Sequence, residues 1–453
     1  MNSFNVDRTQ HAIGQGGFHS TMVYRGGRRF GLVVDCGGAT GEHREDLAAA
    51  FAETGPRAHD LLAISELDED HVNGLPALAK AGVTFANVML PHVDRTRYLL
   101  WMTMRLALSR GDTLSEEELI AKALDVMAGL YAGRYGRPLI VTDDAEAIAD
   151  DDARCEPGDD FLRPALRRAL DAAREGATFP ARSSLHLAGI DWMLRFHSRE
   201  WQLPKMVEAI WDLPVLADLR RAVGELGDRA ATAGNAALLD AVTAQLRAEL
   251  DLKSVQVAAT RIVGRRVTLP ATMTAKVLLA TLFRKMPELH DANNASLCVY
   301  AGPGNRGNAA PRSRFVRHRT IGAAAEIGNA DAPQRSVGWL LAGDAPLADE
   351  KSLAALVRHY FLELPLVETL VLPHHGARRN YGKSLAELQA LAEALPAGAR
   401  RLFIAAAEPS GPQRLPDAAV IELCRRFGDL HVVDRRAASM VQDGVRSVAF
   451  PSA

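Results

Sequence analysis

Short apolar runs that stop at a polar or turn-forming residue punctuate both ends of the chain, and between them the apolar spacing becomes helical. Residues 30–35 (Phe-Gly-Leu-Val-Val-Asp) predict a buried strand ending at the turn Cys36-Gly37-Gly38. Residues 61–65 predict a second strand and 83–90 a third, closed by Pro91. From about 93 to 286 the texture is helical. Ser115 and Glu118 form a capping box ahead of Leu119, Ile120, Leu124, Met127 and Leu130, and Leu238, Leu239, Val242, Leu246 and Leu250 share a helical face. Residues 185–197 break this texture, because Trp192, Leu194 and Phe196 alternate as in a strand. Strands return at 295–300, 337–342, 367–372 and 402–406. The pattern describes one β-rich α/β (α+β) domain, in halves 1–92 and 291–453, split by a mainly helical insertion at 93–290 with a core strand at 185–197. The Gly-, Pro- and Arg-rich tract 302–319 reads as a mobile loop.

Composition narrows the class. The 453 residues allow two or three folding units, and 48% hydrophobic residues can supply a sizeable core. A net charge of -2 gives no global argument for nucleic-acid binding and leaves only a local basic patch for that role. No apolar run approaches the ~20 residues that cross a bilayer, so no membrane association is expected. Residues 1–10 are polar and lack an apolar stretch, so no secretory signal is expected. Cys36, Cys155, Cys298 and Cys424 lie far apart without a CxxC pair, which argues against a zinc knuckle or a disulfide framework and for a reduced, cytoplasmic protein.

Candidate chemistry sits at the strand ends. The run after residue 65 reads Glu66-Leu67-Asp68-Glu69-Asp70-His71, and alternation along an extended segment would put Glu66, Asp68 and Asp70 on one side. So much negative charge is costly unless a cation sits there, although a solvated acidic loop satisfies the same pattern. Two later strands sharpen the choice. Residues 339–342 lead into Gly343-Asp344, and residues 367–372 lead into Pro373-His374-His375-Gly376. Each is weak alone; three metal-capable strand ends point to a metal site.

In that order, strand-Asp35-Cys36-Gly37-Gly38, the cluster at 66–71, Leu341-Ala342-Gly343-Asp344 and Leu372-Pro373-His374-His375-Gly376 resemble the motifs of the metallo-β-lactamase superfamily. The subgroup it most resembles is the ComEC-type hydrolase domain and its soluble relatives. Ile13-Gly14-Gln15-Gly16, Asn293-Asn294-Ala295-Ser296-Leu297 and Val432-Val433-Asp434-Arg435 also look like that subgroup. The resemblance covers about 12–90 and 293–448 and implies an αββα sandwich with metals along one edge. It implies that Asp70, His71 and His375 hold one ion, with Asp344 bridging to another near Glu66 and Asp68. His375 ranks above His374 because family ligands usually precede a small residue by two positions, and Ala377 sits there.

The chain also departs from the family. Glu66 stands where relatives carry histidine, and no clear counterpart of the middle histidine ligand is present. His92 could substitute or could be a surface or packing residue, and Leu415-Pro416 replaces a His-Pro pair. A carboxylate there hardens the site, favouring Mn²⁺, Mg²⁺ or iron over Zn²⁺, or leaves that position without an ion. Asp35 either orients a ligand or simply forms the turn before Gly37-Gly38, and His19 could reach the site or be a plain strand histidine. Arg378 and Arg379 could meet phosphate oxygens. Arg312, Arg314, Arg317 and Arg319 form a basic cluster that is either solvated or tracks a nucleic-acid backbone.

The leading expectation is a metal-dependent hydrolase, a phosphodiesterase or nuclease, that uses one or two divalent ions (Mn or Zn, with Mg or Fe as alternatives) to activate water. Asp70 and Asp344 would be central to catalysis, with a nucleic acid or nucleotide as substrate and the insertion as lid or protein-partner surface. The alternatives are a degenerate binding or regulatory module, and hydrolysis of a thioester, lactone or amide on the same fold.

Overall fold

The computed structural model describes residues 3–38, 41–93, 126, 129–131, 133–142, 178–180, 184–187, 190–198, 217, 221, 254–256, 261–262, 265–266, 272–274, 296–304, 313–322, 325–326, 330–348, 350–382, 384–396, 401–411 and 413–448. Two compact units divide the chain. Met1–His92, Tyr135–Arg199 and Ala295–Ala453 form the first, and Val93–Arg134 with Glu200–Asn294 form the second.

Two mixed sheets build the first unit. One contains β1 (Asn5–Gln10), β2 (His19–Arg25), β3 (Arg28–Val34), β4 (Ala58–Ala63), β5 (Thr84–Leu90), β6 (Arg137–Thr142) and β7 (Thr178–Pro180). The other begins with β8 (Ser184–His186) and β9 (Met193–Ser198). In the second unit, β10 (Ser254–Gln256) pairs with β13 (Thr272–Thr274), and β11 (Arg261–Ile262) with β12 (Arg265–Arg266). The first unit resumes with β14 (Leu297–Gly302), β15 (Arg314–Ile321), β16 (Ala325–Glu326), β17 (Ala330–Gln334), β18 (Gly338–Leu341), β19 (Val367–Val371), β20 (Leu402–Ala406), β21 (Asp429–Val433) and β22 (Val441–Val448). Strand order is β16-β15-β22-β1-β2-β3-β4-β5-β6-β7 in the first sheet, with β17 also on β15, and β21-β20-β19-β18-β14-β9-β8 in the second. Each sheet is parallel at one end, β3 to β7 and β18 to β21, and antiparallel at the other.

One core lies between the sheets, with Val6, Leu32, Leu61 and Val445 from the first meeting Leu194, Phe196, Val299, Leu341 and Ile404 from the second. A second core covers the other face of the second sheet. There α4 (Glu350–His359), α5 (Ala386–Ala394) and α6 (Ala418–Phe427) bury Leu356, Leu388, Leu391, Val420 and Leu423 against Leu340, Leu370 and Phe403. Asp417 caps α6 by accepting from the Ala419 amide at 2.9 Å, which satisfies one orphan donor of the first turn. On the first sheet, α1 (Gly41–Thr54) buries Phe51 beside Phe18 and His59, and α2 (Glu69–Val72) and α3 (Leu75–Lys80) follow β4. Among the described residues no helix is long and apolar enough to cross a membrane.

The sequence pattern departs from this fold in two places. The stretch read as mainly helical contains β6 to β9, which complete both sheets, so residues 135–199 belong to the sandwich and not to the inserted unit. The strand expected at 185–197 is present as β8 and β9; the capping box at Ser115 and the apolar face at 238–250 lie outside the described residues, apart from the buried Leu130.

The second departure is β15. The arginine tract was expected to be a mobile loop, yet Arg314–Ile321 is a strand along which Phe315, Arg317 and Arg319 are buried in alternation. Arg319 Nε lies 3.3 Å from Asp443 Oδ1, and Arg317 pairs with Glu368. Asp443 Oδ2 accepts from Arg8 Nη2 at 2.5 Å and from Trp339 Nε1 at 2.9 Å. The Arg8 guanidinium also lies 5.4 Å and 5.2 Å from the ring centroids of Trp192 and Trp339. Two of the four arginines read as a nucleic-acid patch are therefore interior residues; Arg314 is exposed and Arg312 lies outside the described residues.

Candidate metal centre

The parallel halves of the two sheets deliver polar side chains to one place. Asp35 follows β3, and Ser65 and Glu66 follow β4; Asp344 follows β18, and His374 and His375 follow β19. Asp70 and His71 come from the short helical turn α2 (Glu69–Val72) just beyond Glu66. This turn corrects the extended alternation expected for 66–70. Glu66 and His71 are buried, and Asp68 becomes the residue before the helical turn.

Glycines allow this turn to approach so closely. The Cys36 amide donates to the His71 carbonyl at 2.9 Å and the Gly17 amide to the Asp70 carbonyl at 3.0 Å. A Cβ on Gly37 would lie 2.5 Å from the Asp70 carbonyl carbon and oxygen, and one on Gly16 would lie 2.2 Å from the Gly37 oxygen. The opening Ile13-Gly14-Gln15-Gly16 segment is thus packed against the turn that carries Asp70 and His71.

His71 sits at the centre. Its Nδ1 is 3.0 Å from both Asp35 Oδ2 and Ser65 Oγ, and Asp35 Oδ1 and Oδ2 accept from the Ser65 amide and hydroxyl, each at 2.6 Å. These contacts fix the ring and turn Nε2 toward the acids. Glu66 Oε1 is 3.0 Å from Nε2, Asp344 Oδ1 3.5 Å and Asp70 Oδ1 3.9 Å. His375 Nε2 lies 3.2 Å from Asp70 Oδ2 and 3.9 Å from Asp344 Oδ1. Two ligand groups follow, Asp70–His71–His375 and Glu66–His71–Asp344, with the offered atoms of each group within 4.8 Å of one another. Asp68, His374 and His92 belong to neither.

His374 has another position. Its Nδ1 is 2.8 Å from Asp344 Oδ2, and its Nε2 is met by Arg379. His374 (φ 49°), His375 (φ 56°) and Asp35 (φ 58°) all occupy the left-handed region, where non-glycine residues carry strain of about 1–3 kcal/mol. Strain concentrated on the residues that aim at one point indicates that the fold holds them there against local preference. Arg378 and Arg379 are exposed immediately beyond the His375 turn. His19 is buried against Trp339 and bonded to Thr21 Oγ1 at 2.9 Å, a strand histidine with a packing role.

Proton affinities reflect the crowding. Burial pushes the Glu66 carboxyl well above its ordinary range, and Asp344 adds to this. Burial also raises Asp344 and Asp70, but the neighbouring imidazoles more than offset it: Asp344 falls well below the usual carboxylate range and Asp70 falls to about 2. Burial disfavours charge on His71 and His375, yet the surrounding carboxylates raise both. Glu66 Oε1, His71 Nε2 and His375 Nε2 are buried without a hydrogen bond of ordinary geometry. Such atoms are costly unless another partner takes them, and this donor set of imidazole nitrogens and carboxylate oxygens suits a divalent cation. Cys36, Cys298 and Cys424 are buried and free, and none joins either group.

Ser296, part of the Asn293–Leu297 segment but not singled out as a site residue, donates its hydroxyl to Glu66 Oε2 at 3.3 Å. No family model matches the chain, and no curated protein matches it.

Proposed function

We propose that this protein is a metal-dependent hydrolase of phosphodiesters built on a metallo-β-lactamase-like αββα sandwich. One observation carries the reading: imidazole and carboxylate groups from the ends of three strands and one helical turn converge in two clusters, in which Glu66 Oε1, His71 Nε2 and His375 Nε2 are buried without a hydrogen bond of ordinary geometry. The sandwich itself is supported by two mixed sheets with a shared core and helices on an outer face. A bound divalent ion supplies Lewis acidity, lowering the pKa of water and offsetting charge on a reacting phosphoryl group.

The chain's own residues supply the rest. Asp35 and Ser65 fix the His71 ring so that Nε2 faces the acids. Asp70, whose side chain is 30% exposed, forms the solvent-facing side of the cluster, through which substrate reaches it. Arg378 and Arg379, exposed just beyond the His375 turn, would offset the negative charge of a phosphodiester. The phosphodiester class rests on these two arginines, because Arg317 and Arg319 are interior.

The test is turnover of bis(p-nitrophenyl) phosphate, a thioester and a lactone by chelated and metal-reloaded protein. Metal-restored phosphodiester cleavage is expected, with Asp70→Ala, His71→Ala, Asp344→Ala and His375→Ala each lowering it by orders of magnitude. Preference for the thioester or lactone rejects the substrate class. One contact favours a second reading, a non-catalytic binding module: Glu66 Oε1 at 3.0 Å from His71 Nε2 makes a closed ion pair when the imidazole is protonated. Absence of both metal uptake and turnover selects that module.

A further inference from the structure

We infer that His374 is a positioning residue for Asp344: it holds Asp344 Oδ2 through its Nδ1 hydrogen, leaves Oδ1 to a metal ion, and is itself held at Nε2 by Arg379. The inference deepens the metal-centre reading above and rests on it.

The donor and acceptor roles follow from the groups themselves. An arginine side chain has only donors, so in its contact with His374 Nε2 the imidazole nitrogen accepts. A ring that accepts at Nε2 carries its hydrogen on Nδ1, and Asp344 Oδ2, 2.8 Å away, receives it. Neither nitrogen of His374 then has a lone pair for a metal, in agreement with its place outside both ligand groups. His375 differs, because its Nε2 faces Asp70 Oδ2 at 3.2 Å and Asp344 Oδ1 at 3.9 Å.

The two oxygens of Asp344 thus have separate tasks. Oδ2 is engaged by His374, while Oδ1 lies 3.5 Å from His71 Nε2 and 3.9 Å from His375 Nε2. A carboxylate turns about its last carbon–carbon bond unless one oxygen is tied down, and a fixed donor at one oxygen aims the other.

The ring is not what holds the loops together. The His374 amide donates to the Gly343 carbonyl, Asn380 Nδ2 to the Asp344 carbonyl and the Tyr381 hydroxyl to the Pro373 carbonyl, each at 3.0 Å. These bonds lace the turn after β18 to the turn after β19 without the imidazole. The buried ring is left with one task, the side chain of Asp344. Arg379, exposed just beyond the His375 turn, ties this orientation to the surface, and its other donors can meet a phosphoryl oxygen.

The first test is ring nitrogen magnetic resonance of the metal-free, full-length chain at about pH 8, above the ordinary imidazole range. The His374 signals are assigned by their loss in His374→Asn. The hydrogen is expected on Nδ1; a hydrogen on Nε2, or on both nitrogens, overturns the assignment. The second test is Mn²⁺ affinity by calorimetry. His374→Phe keeps the bulk of the ring without its donor and should weaken Mn²⁺ by about 10–100-fold, the range for residues that orient ligands. In His374→Asn the amide nitrogen stands close to the place of Nδ1, so this variant should recover most of the loss. Full affinity in His374→Phe, or equal loss in both variants, overturns the positioning role. Arg379→Ala should also weaken Mn²⁺, by less than His374→Phe. If it raises only the KM for bis(p-nitrophenyl) phosphate, Arg379 is a substrate contact alone and the link to the surface is overturned. Circular dichroism of each variant separates metal loss from unfolding. A wild-type chain that takes up no Mn²⁺ overturns the metal centre and this role together, whereas uptake without phosphodiester cleavage rejects the hydrolase reading alone, because the affinities are read without turnover.

Discussion

Two buried charged clusters in the same unit have opposite fates, and the difference lies in their basic partners. The network of Arg8, Arg317 and Arg319 with Asp443 and Glu368 matches acids with guanidinium groups, which stay charged throughout the accessible pH range. Even buried Arg8, lowered to about 10 chiefly by burial, remains protonated near neutrality. Burial raises Asp443, and Arg319, Arg8 and Arg317 more than reverse that. Some atoms here also lack ideal hydrogen-bond geometry, such as Arg319 Nε, but a full opposite charge faces them. The cluster around His71 pairs acids with imidazoles, whose charge depends on a proton. One cluster is complete within the polypeptide; the other is complete only with protons or a metal cation.

The largest expected effect breaks the closed cluster. Asp443→Asn removes the carboxylate shared by Arg8, Arg319 and Trp339 and should cost about 3–5 kcal/mol in denaturant melts. Asp344→Asn should instead abolish metal uptake at a smaller cost to metal-free stability, because the lost attraction to the imidazoles of His71, His374 and His375 is partly offset by relief of repulsion with Glu66. Equal losses of stability in both variants would erase the distinction. Next in size is linkage. Mn²⁺ at a hundredfold above its dissociation constant should stabilise the protein by about 2.7 kcal/mol, an increment that EDTA removes and His71→Gln lacks.

A smaller effect separates buried neutral histidines from those at the centre. Burial lowers His11 to about 3 and His59 to about 4, and takes His19 well below its ordinary value. The unfolded chain protonates each near pH 6.5 while the folded chain does not, so their stabilisation is complete above ~6.5 and is lost as pH falls towards the folded values. Each contributes a slope of at most about 1.4 kcal/mol per pH unit. His11→Gln should flatten the fall in unfolding free energy between about pH 7 and pH 5; an unchanged slope means that His11 takes up a proton in the folded protein. The smallest effect belongs to Arg314→Ala, within about 0.5 kcal/mol, although its strand neighbour Arg319 lies in the closed network.

What was legible in the sequence follows from range. The strand runs at 30–35, 61–65 and 337–342 announced themselves because burial on both faces leaves apolar stretches, as did 367–372 despite Glu368 and Thr369, and the polar residues ending each run were visible beside it. Those endings supplied Asp35, Glu66, Asp344, His374 and His375. The extended alternation expected at 66–70 gives way to a helical turn at 69–72, and Asp68 falls outside both ligand groups. The burial of Arg317 and Arg319 was hidden for a different reason. Their partners Asp443 and Glu368 are remote in sequence, and arginines after a Gly- and Pro-rich stretch look solvated. The period-two alternation of Phe315, Arg317 and Arg319 was the available signal. His374 and His375 could not be told apart by pattern, because their roles are set by a left-handed backbone that aims one ring at Asp344 and the other at Asp70.

The path of the chain between the two units governs how the protein can be dissected. It leaves the sandwich after His92, returns at Tyr135, leaves again after Arg199 and returns at Ala295. A single deletion of 93–290 would therefore carry away β6 to β9 and strip Phe179, Leu185, Trp192 and Phe196 from the shared core. Loss of one buried aromatic alone costs about 3–5 kcal/mol. A minimal version of the sandwich needs two excisions and two new linkers, one replacing 93–134 and one replacing 200–294, with the segment between them kept as a built-in edge of both sheets.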